Sequence, residues 1–111
     1  MKIKRGVSIA KCRAEILRAC ILIDPIFEAE GVEQVITSGS EKYKHSAVYS
    51  SHYKGDALDL RSNTINTVER KKAVRAKVQR KLGPQFKIIL ESIGKPYEHY
   101  HLQFTPTFES L

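Results

Sequence analysis

Two short segments far apart in the chain carry residue types that bind a metal ion, and this constrains the fold more than any other feature: the segments have to meet. The first reads S-x-H-x-x-G-x-A-x-D across Ser50, His52, Gly55, Ala57 and Asp59, and the second is Glu98-His99-Tyr100-His101. A histidine and a carboxylate from one segment, with a histidine from the other, supply three ligands and leave the fourth position of a tetrahedral Zn²⁺ open to water. Such an open position marks a catalytic metal rather than a structural one. Neutral imidazole and carboxylate are both good zinc donors, and taking them from separate segments lets the fold set the geometry while loops shape a groove. Gly55 and Ala57 are small enough to let backbone pass close to a metal or a bound peptide. Glu98, three residues before His101, can stand beside the metal and take a proton from water whose pKa zinc lowers toward about 7.

Hydrophobic patterning predicts an α+β domain, an antiparallel sheet with helices packed on it. Ser8 is a candidate cap for a first helix running to about Ile23, with Pro25 interrupting it and Gly31 closing the helical region. Ile9, Cys12, Ile16, Ala19, Cys20 and Ile23 form its apolar stripe. Val32 to Thr37 reads as a strand, Ser38 to Lys42 as a turn, and residues 41 to 55 as a long loop of the kind that carries function. Ala57-Leu58-Asp59-Leu60 alternates as a short strand with Asp59 facing away from the two leucines. A basic helix follows from about Ile65 to Leu82, docked through Val74, Val78 and Leu82 and stopped by Gly83-Pro84. Phe86 to Leu90 and Tyr100 to Phe104 read as strands, which puts His99, His101 and Gln103 on one face.

At 111 residues the chain is expected to form a single domain, spanning 1–111. The formal net charge of +7 is concentrated in Arg70, Lys71, Lys72, Arg75, Lys77, Arg80 and Lys81, opposed locally by Glu69. The run reads as a solvated outer face or as a surface attracted to anionic cell-wall polymer. No base-reading motif accompanies it and aromatic residues are not interleaved with it, so no specific nucleic-acid partner is expected. The longest apolar run, Ala19 to Ile23, is too short to span a bilayer. The expectation is synthesis in the cytoplasm without a signal peptide. Cys12 and Cys20, read as lying in one helix about 12 Å apart, are too distant for a disulfide.

The pair of motifs resembles the zinc peptidases that include D-Ala-D-Ala carboxypeptidases and dipeptidases and phage L-Ala-D-Glu endopeptidases, whose fold and metal site are shared by the Hedgehog signalling domain. The likeness covers roughly residues 32 to 104. It implies zinc bound by His52, Asp59 and His101, with Glu98 as general base and then as acid to the leaving amine. It also implies Ser50 beside the substrate and His99 as a groove residue. Glu91 is the rival base, because Hedgehog-like members place their acid further upstream of the final histidine. Family members commonly carry an arginine after the Ser-Gly turn that precedes the first motif; here Ser40 and Glu41 follow Ser38-Gly39, so Lys42 or Lys44 stands in, with Arg61 a less favoured replacement. The implied activity is zinc-dependent hydrolysis of a peptide bond in the peptidoglycan stem, by an L-Ala-D-Glu endopeptidase of phage lysis type acting on the wall after release. D-Ala-D-Ala carboxypeptidase and a catalytically silent zinc-stabilised binding domain are the alternatives.

Overall fold

Alternation of apolar and polar side chains decides which face of the sheet is covered. In the computed structural model, which describes residues 1–41 and 55–105, the strands are β1 (Lys2–Ile3), β2 (Val35–Ser38), β3 (Ala57–Arg61), β4 (Phe86–Glu91) and β5 (His99–Phe104). They form one five-stranded sheet in the order β1-β2-β3-β5-β4. Leu58 and Leu60 of β3 lie opposite Leu102 and Tyr100 of β5, which in turn face Ile88 and Leu90 of β4. This set points toward the two helices, α1 (Ala14–Ala29) and α2 (Val68–Leu82), and is closed by Ile16, Cys20, Ile23 and Phe27 of α1 and Val74 and Val78 of α2. Phe27 meets the Tyr100 ring edge-on at 6.3 Å between centroids. Full burial of each such side chain contributes roughly 1.5–3 kcal/mol, and a slip of one residue would turn the whole set outward, so the register is strongly held. The residues between them, Asp59, Arg61, His99, His101, Gln103 and Glu91, are consequently displayed on the opposite face.

The sheet is mixed, not purely antiparallel: β1 runs parallel to β2, and every other neighbouring pair is antiparallel. With only two residues, β1 has no periodicity to read, and Lys2 N–H and Lys4 N–H donate to the Gln34 and Ile36 carbonyls. Between β2 and β3 the register shifts between Ile36 and Ser38, which brings Ser38 opposite Asp59.

The first helix departs from expectation at both ends. Ser8 does not cap it; the Ser8 hydroxyl accepts from Ala10 N–H in a local turn, and the helix begins only at Ala14, so Cys12 precedes it. Pro25 lies inside the helix rather than ending it. Its ring is exposed, as is Ile21 one turn earlier, so the carbonyl left without a helical donor is on the wetted side. Gly31, at φ 75°, ends the helical region as expected: Val32 N–H donates to Phe27 O and Gly31 N–H to Glu28 O, the paired bonds of a Schellman motif. Helix α2 starts at Val68, three residues later than its periodicity suggested, because Thr67 Oγ1 accepts the Arg70 N–H and caps it. Part of its basic run is used within the molecule. Arg70 and Lys77 pair with Glu30, Lys71 with Glu98, and Arg75 donates to the Ile88 carbonyl. Both cysteines are free thiols. Among the described residues no helix is long and apolar enough to cross a membrane.

Candidate functional site

Three neighbouring strands place the polar residues of the uncovered face side by side. Asp59 lies directly opposite His101, which faces Ile89 on its other side, and Arg61 lies opposite His99, which faces Glu91. The His101 ring donates from Nδ1 to Asp59 Oδ1 at 3.2 Å, and its Nε2 lies 3.1 Å from Gln103 Oε1. The Asp59 bond raises the His101 pKa against the opposing effect of burial, and Gln103 adds to the rise. His99 donates from Nδ1 to the Tyr97 carbonyl at 2.8 Å, which leaves Nε2 turned toward the carboxylates, 3.8 Å from Asp59 Oδ1 and 3.9 Å from Glu91 Oε1. Glu91 Oε1 is also 3.9 Å from His101 Nδ1. Ser92, immediately after Glu91, holds φ at 57°, an uncommon left-handed conformation for a residue with a side chain, at the start of the turn that leads to Gly94.

Glu98 is placed differently. The residue just before β5, it falls on the Tyr100 side of the strand, as a residue three positions from His101 must when the chain is extended. Ser62 Oγ donates to its carboxylate at 2.6 Å, Lys71 Nζ pairs with it at 2.8 Å, and Gly94 N–H donates at 3.1 Å. Burial by itself pushes this carboxyl's pKa up, but Lys71, Ser62 and Gly94 together outweigh it and hold the pKa below the ordinary range. Glu98 borders the cleft described below, yet its charge is committed to α2 and to the 94–98 turn. Of the two acids considered for proton transfer, Glu91 is the one the fold brings to the histidines.

The cleft, of about 370 Å³, runs past Asp59 and His99 between Thr37 and Ser38 at the end of β2 and the turn at Pro96 and Tyr97. Lys4, Arg61 and Asn63 line it as well. Lys4, Asn63 and Pro96 escape a reading based on motifs, but Arg61 does not have to: it lies two residues beyond Asp59 on the same strand and so shares its face. Tyr97 lines the cleft, whereas Tyr100 is core, its hydroxyl donating to the Lys71 carbonyl at 2.6 Å.

No protein-family model, curated protein or solved structure matches the chain.

Of the expected zinc ligands, Asp59 and His101 are brought together as an imidazole and a carboxylate on directly opposed residues, a donor pair suited to Zn²⁺. The third, His52, lies outside the described residues, as do Ser50, Lys42, Lys44, His45 and Tyr53. Among the described residues no group of three His, Cys, Asp or Glu side chains is disposed to hold a metal ion. Both flanks of the 42–54 segment are tied to the stretch before α1. Ser40 N–H donates to the Ser8 carbonyl and Arg13 N–H to the Gly55 carbonyl, while Arg13 also pairs with Asp56. Gly55 is needed for this anchoring: its φ is 77°, and a Cβ there would collide with the Lys11 carbonyl. On the other flank, Glu41 accepts from Ser8 N–H, Gly39 N–H and Ser38 Oγ.

Proposed function

We propose that this chain is a zinc-dependent peptidase that hydrolyses a peptide bond of the peptidoglycan stem, with the L-Ala-D-Glu bond as its target and the fold of the D-Ala-D-Ala carboxypeptidase and Hedgehog group. The observation that carries the reading is the pairing of Asp59 and His101 on adjacent strands, with Glu91 and His99 beside them and a cleft alongside. Asp59, His101 and His52 would hold the ion. Bound Zn²⁺ supplies a Lewis acid that polarises a carbonyl and acidifies water.

The chain's own residues do the rest. Glu91, at the end of β4, takes the proton from the attacking water and returns it to the departing amine. His99, its Nδ1 spent on the Tyr97 carbonyl, presents Nε2 to Glu91 and to Asp59, of which Asp59 lines the cleft. Glu98 fixes the entry to β5 by joining it to α2, so that His99 and His101 emerge in register. The exposed remainder of the basic run, Lys72, Arg80 and Lys81, is available to anionic wall polymer.

The test is to incubate zinc-loaded protein with purified peptidoglycan, with Glu91→Gln as control, and to identify new termini by mass spectrometry. New D-Glu amino termini that disappear in the variant are the expected result. Release of D-Ala would instead make the chain a carboxypeptidase, and stoichiometric zinc with no cleavage would make it a binding domain.

A further inference from the structure

We propose that Lys4 and Arg61 form a carboxylate-binding subsite that selects substrates bearing a free carboxylate next to the scissile bond; this rests on the peptidase reading above. Both residues line the cleft that runs past Asp59 and His99. Arg61 reaches it because it follows Asp59 by two positions on β3 and faces His99 across the strand pair. Lys4 reaches it from the other wall, where its backbone N–H is bonded to the Ile36 carbonyl and so holds the end of β1 against β2.

Neither cation has a side-chain hydrogen bond or ion pair to any described residue, so among the described residues nothing competes with an anion for them. Lys4 is exposed and Arg61 half-buried on this concave surface, and a carboxylate bound there is attracted by both charges. The guanidinium matches a carboxylate with two parallel bonds, and the ammonium adds a point charge. Asn63, on the same wall, can donate to the same group or to the adjoining peptide. The paired bonds of the guanidinium hold the bound carboxylate to the Arg61 side, and the amide beside it is directed toward the Asp59–His101 pair.

In a stem dipeptide such a carboxylate has two sources, the α-carboxyl and the γ-carboxyl of D-Glu. The experiment therefore titrates zinc-loaded, ¹⁵N-labelled protein with acetyl-L-Ala-D-Glu, with its α-amide, with its γ-amide and with the diamide. The Arg61 Nε–H, Asn63 and Tyr97 signals report occupancy. One mono-amide is expected to bind about tenfold more tightly than the diamide, and the one that does names the carboxylate. Arg61→Gln should abolish that preference, Arg61→Lys should retain part of it, and Lys4→Ala should reduce it, all with unchanged circular dichroism. Equal binding of all four compounds, or a preference that survives Arg61→Gln, overturns the subsite. The peptidase reading fails separately: the carboxylate preference with no cleavage of peptidoglycan keeps the subsite and removes the enzyme, whereas cleavage indifferent to amidation and to Arg61→Gln does the reverse.

Discussion

At the scale of single residues, the proposed function gives the two acids near the histidines different roles, chemical for Glu91 and structural for Glu98, and predicts that their variants separate. Glu91 is partly exposed and among the described residues pairs with His99 and His101 alone, so Glu91→Gln should lower turnover by about 10²–10⁴-fold, the usual worth of a general base, with an unchanged melting temperature. Glu98→Gln leaves the half-buried Lys71 ammonium without its counter-charge, and since loss of one partner of a fully buried pair costs about 3–5 kcal/mol, the cost here should be up to about 3 kcal/mol. Its expected signature is a lowered melting temperature, with any loss of turnover following from instability. Parallel kinetics and thermal denaturation of the two variants check this; a stable, inactive Glu98→Gln would return the base to Glu98. The metal assignment is tested on the same footing. Dialysis against a chelator should abolish peptide cleavage and added Zn²⁺ should restore it, and Asp59→Asn and His101→Ala should each bind less than one equivalent of zinc by elemental analysis.

At the scale of elements, α1 offers a test that does not depend on function. Gly31 sits at φ 75° with open space where a Cβ would go, so Gly31→Ala should cost about 1–2 kcal/mol from conformation alone. Pro25→Ala restores a helical donor, and after the unfolded-state entropy is deducted it should stabilise by about 2 kcal/mol. Urea denaturation of both variants measures each sign. The same elements show what was legible in the sequence. Gly31, the strand alternation around Asp59, the shared face of His99, His101 and Gln103 and the Val74–Val78 docking line were readable because each is a local pattern. The start of α1 was not, because Ser8 satisfies a turn as readily as a helix. Nor was β1, since pairing of two residues is decided by the partner strand. The placing of Glu98 was obscured by reading E-x-x-H as a linear motif; on an extended chain that spacing puts the acid and the histidine on opposite faces. Glu91 enters the sequence reading through the family resemblance alone; its closeness to His99 emerges once β4 and β5 are aligned, because nothing short-range links the two.

At the scale of the whole molecule, two buried carboxylates hold the framework around the site. Glu41 joins Ser8, Ser38 and Gly39 on the β2 side, and Glu98 joins Ser62, Lys71 and Gly94 on the β5 side. Burial opposes ionisation of both, but the hydrogen bonds they accept outweigh it and leave each pKa below its ordinary value of 4.5. A carboxyl whose pKa is depressed by folding contributes its full stabilisation above the unfolded value and loses it as the pH falls through the folded one. The contribution of these two carboxyls should therefore be constant above the ordinary carboxyl range, and stability should drop steeply as the pH is taken below about 4.5. Replacing either acid by glutamine lowers the plateau and makes the acid limb shallower, because one of the two protons driving unfolding is no longer taken up. Since the two carboxyls clamp separate flanks of the cleft, the double variant should lose both contributions nearly additively. Melting temperatures from pH 7 to pH 2 for the wild type, both single variants and the double variant measure this. An acid limb unaltered by either substitution would place the cooperative loss in other carboxylates and remove Glu41 and Glu98 as the clamps of the site.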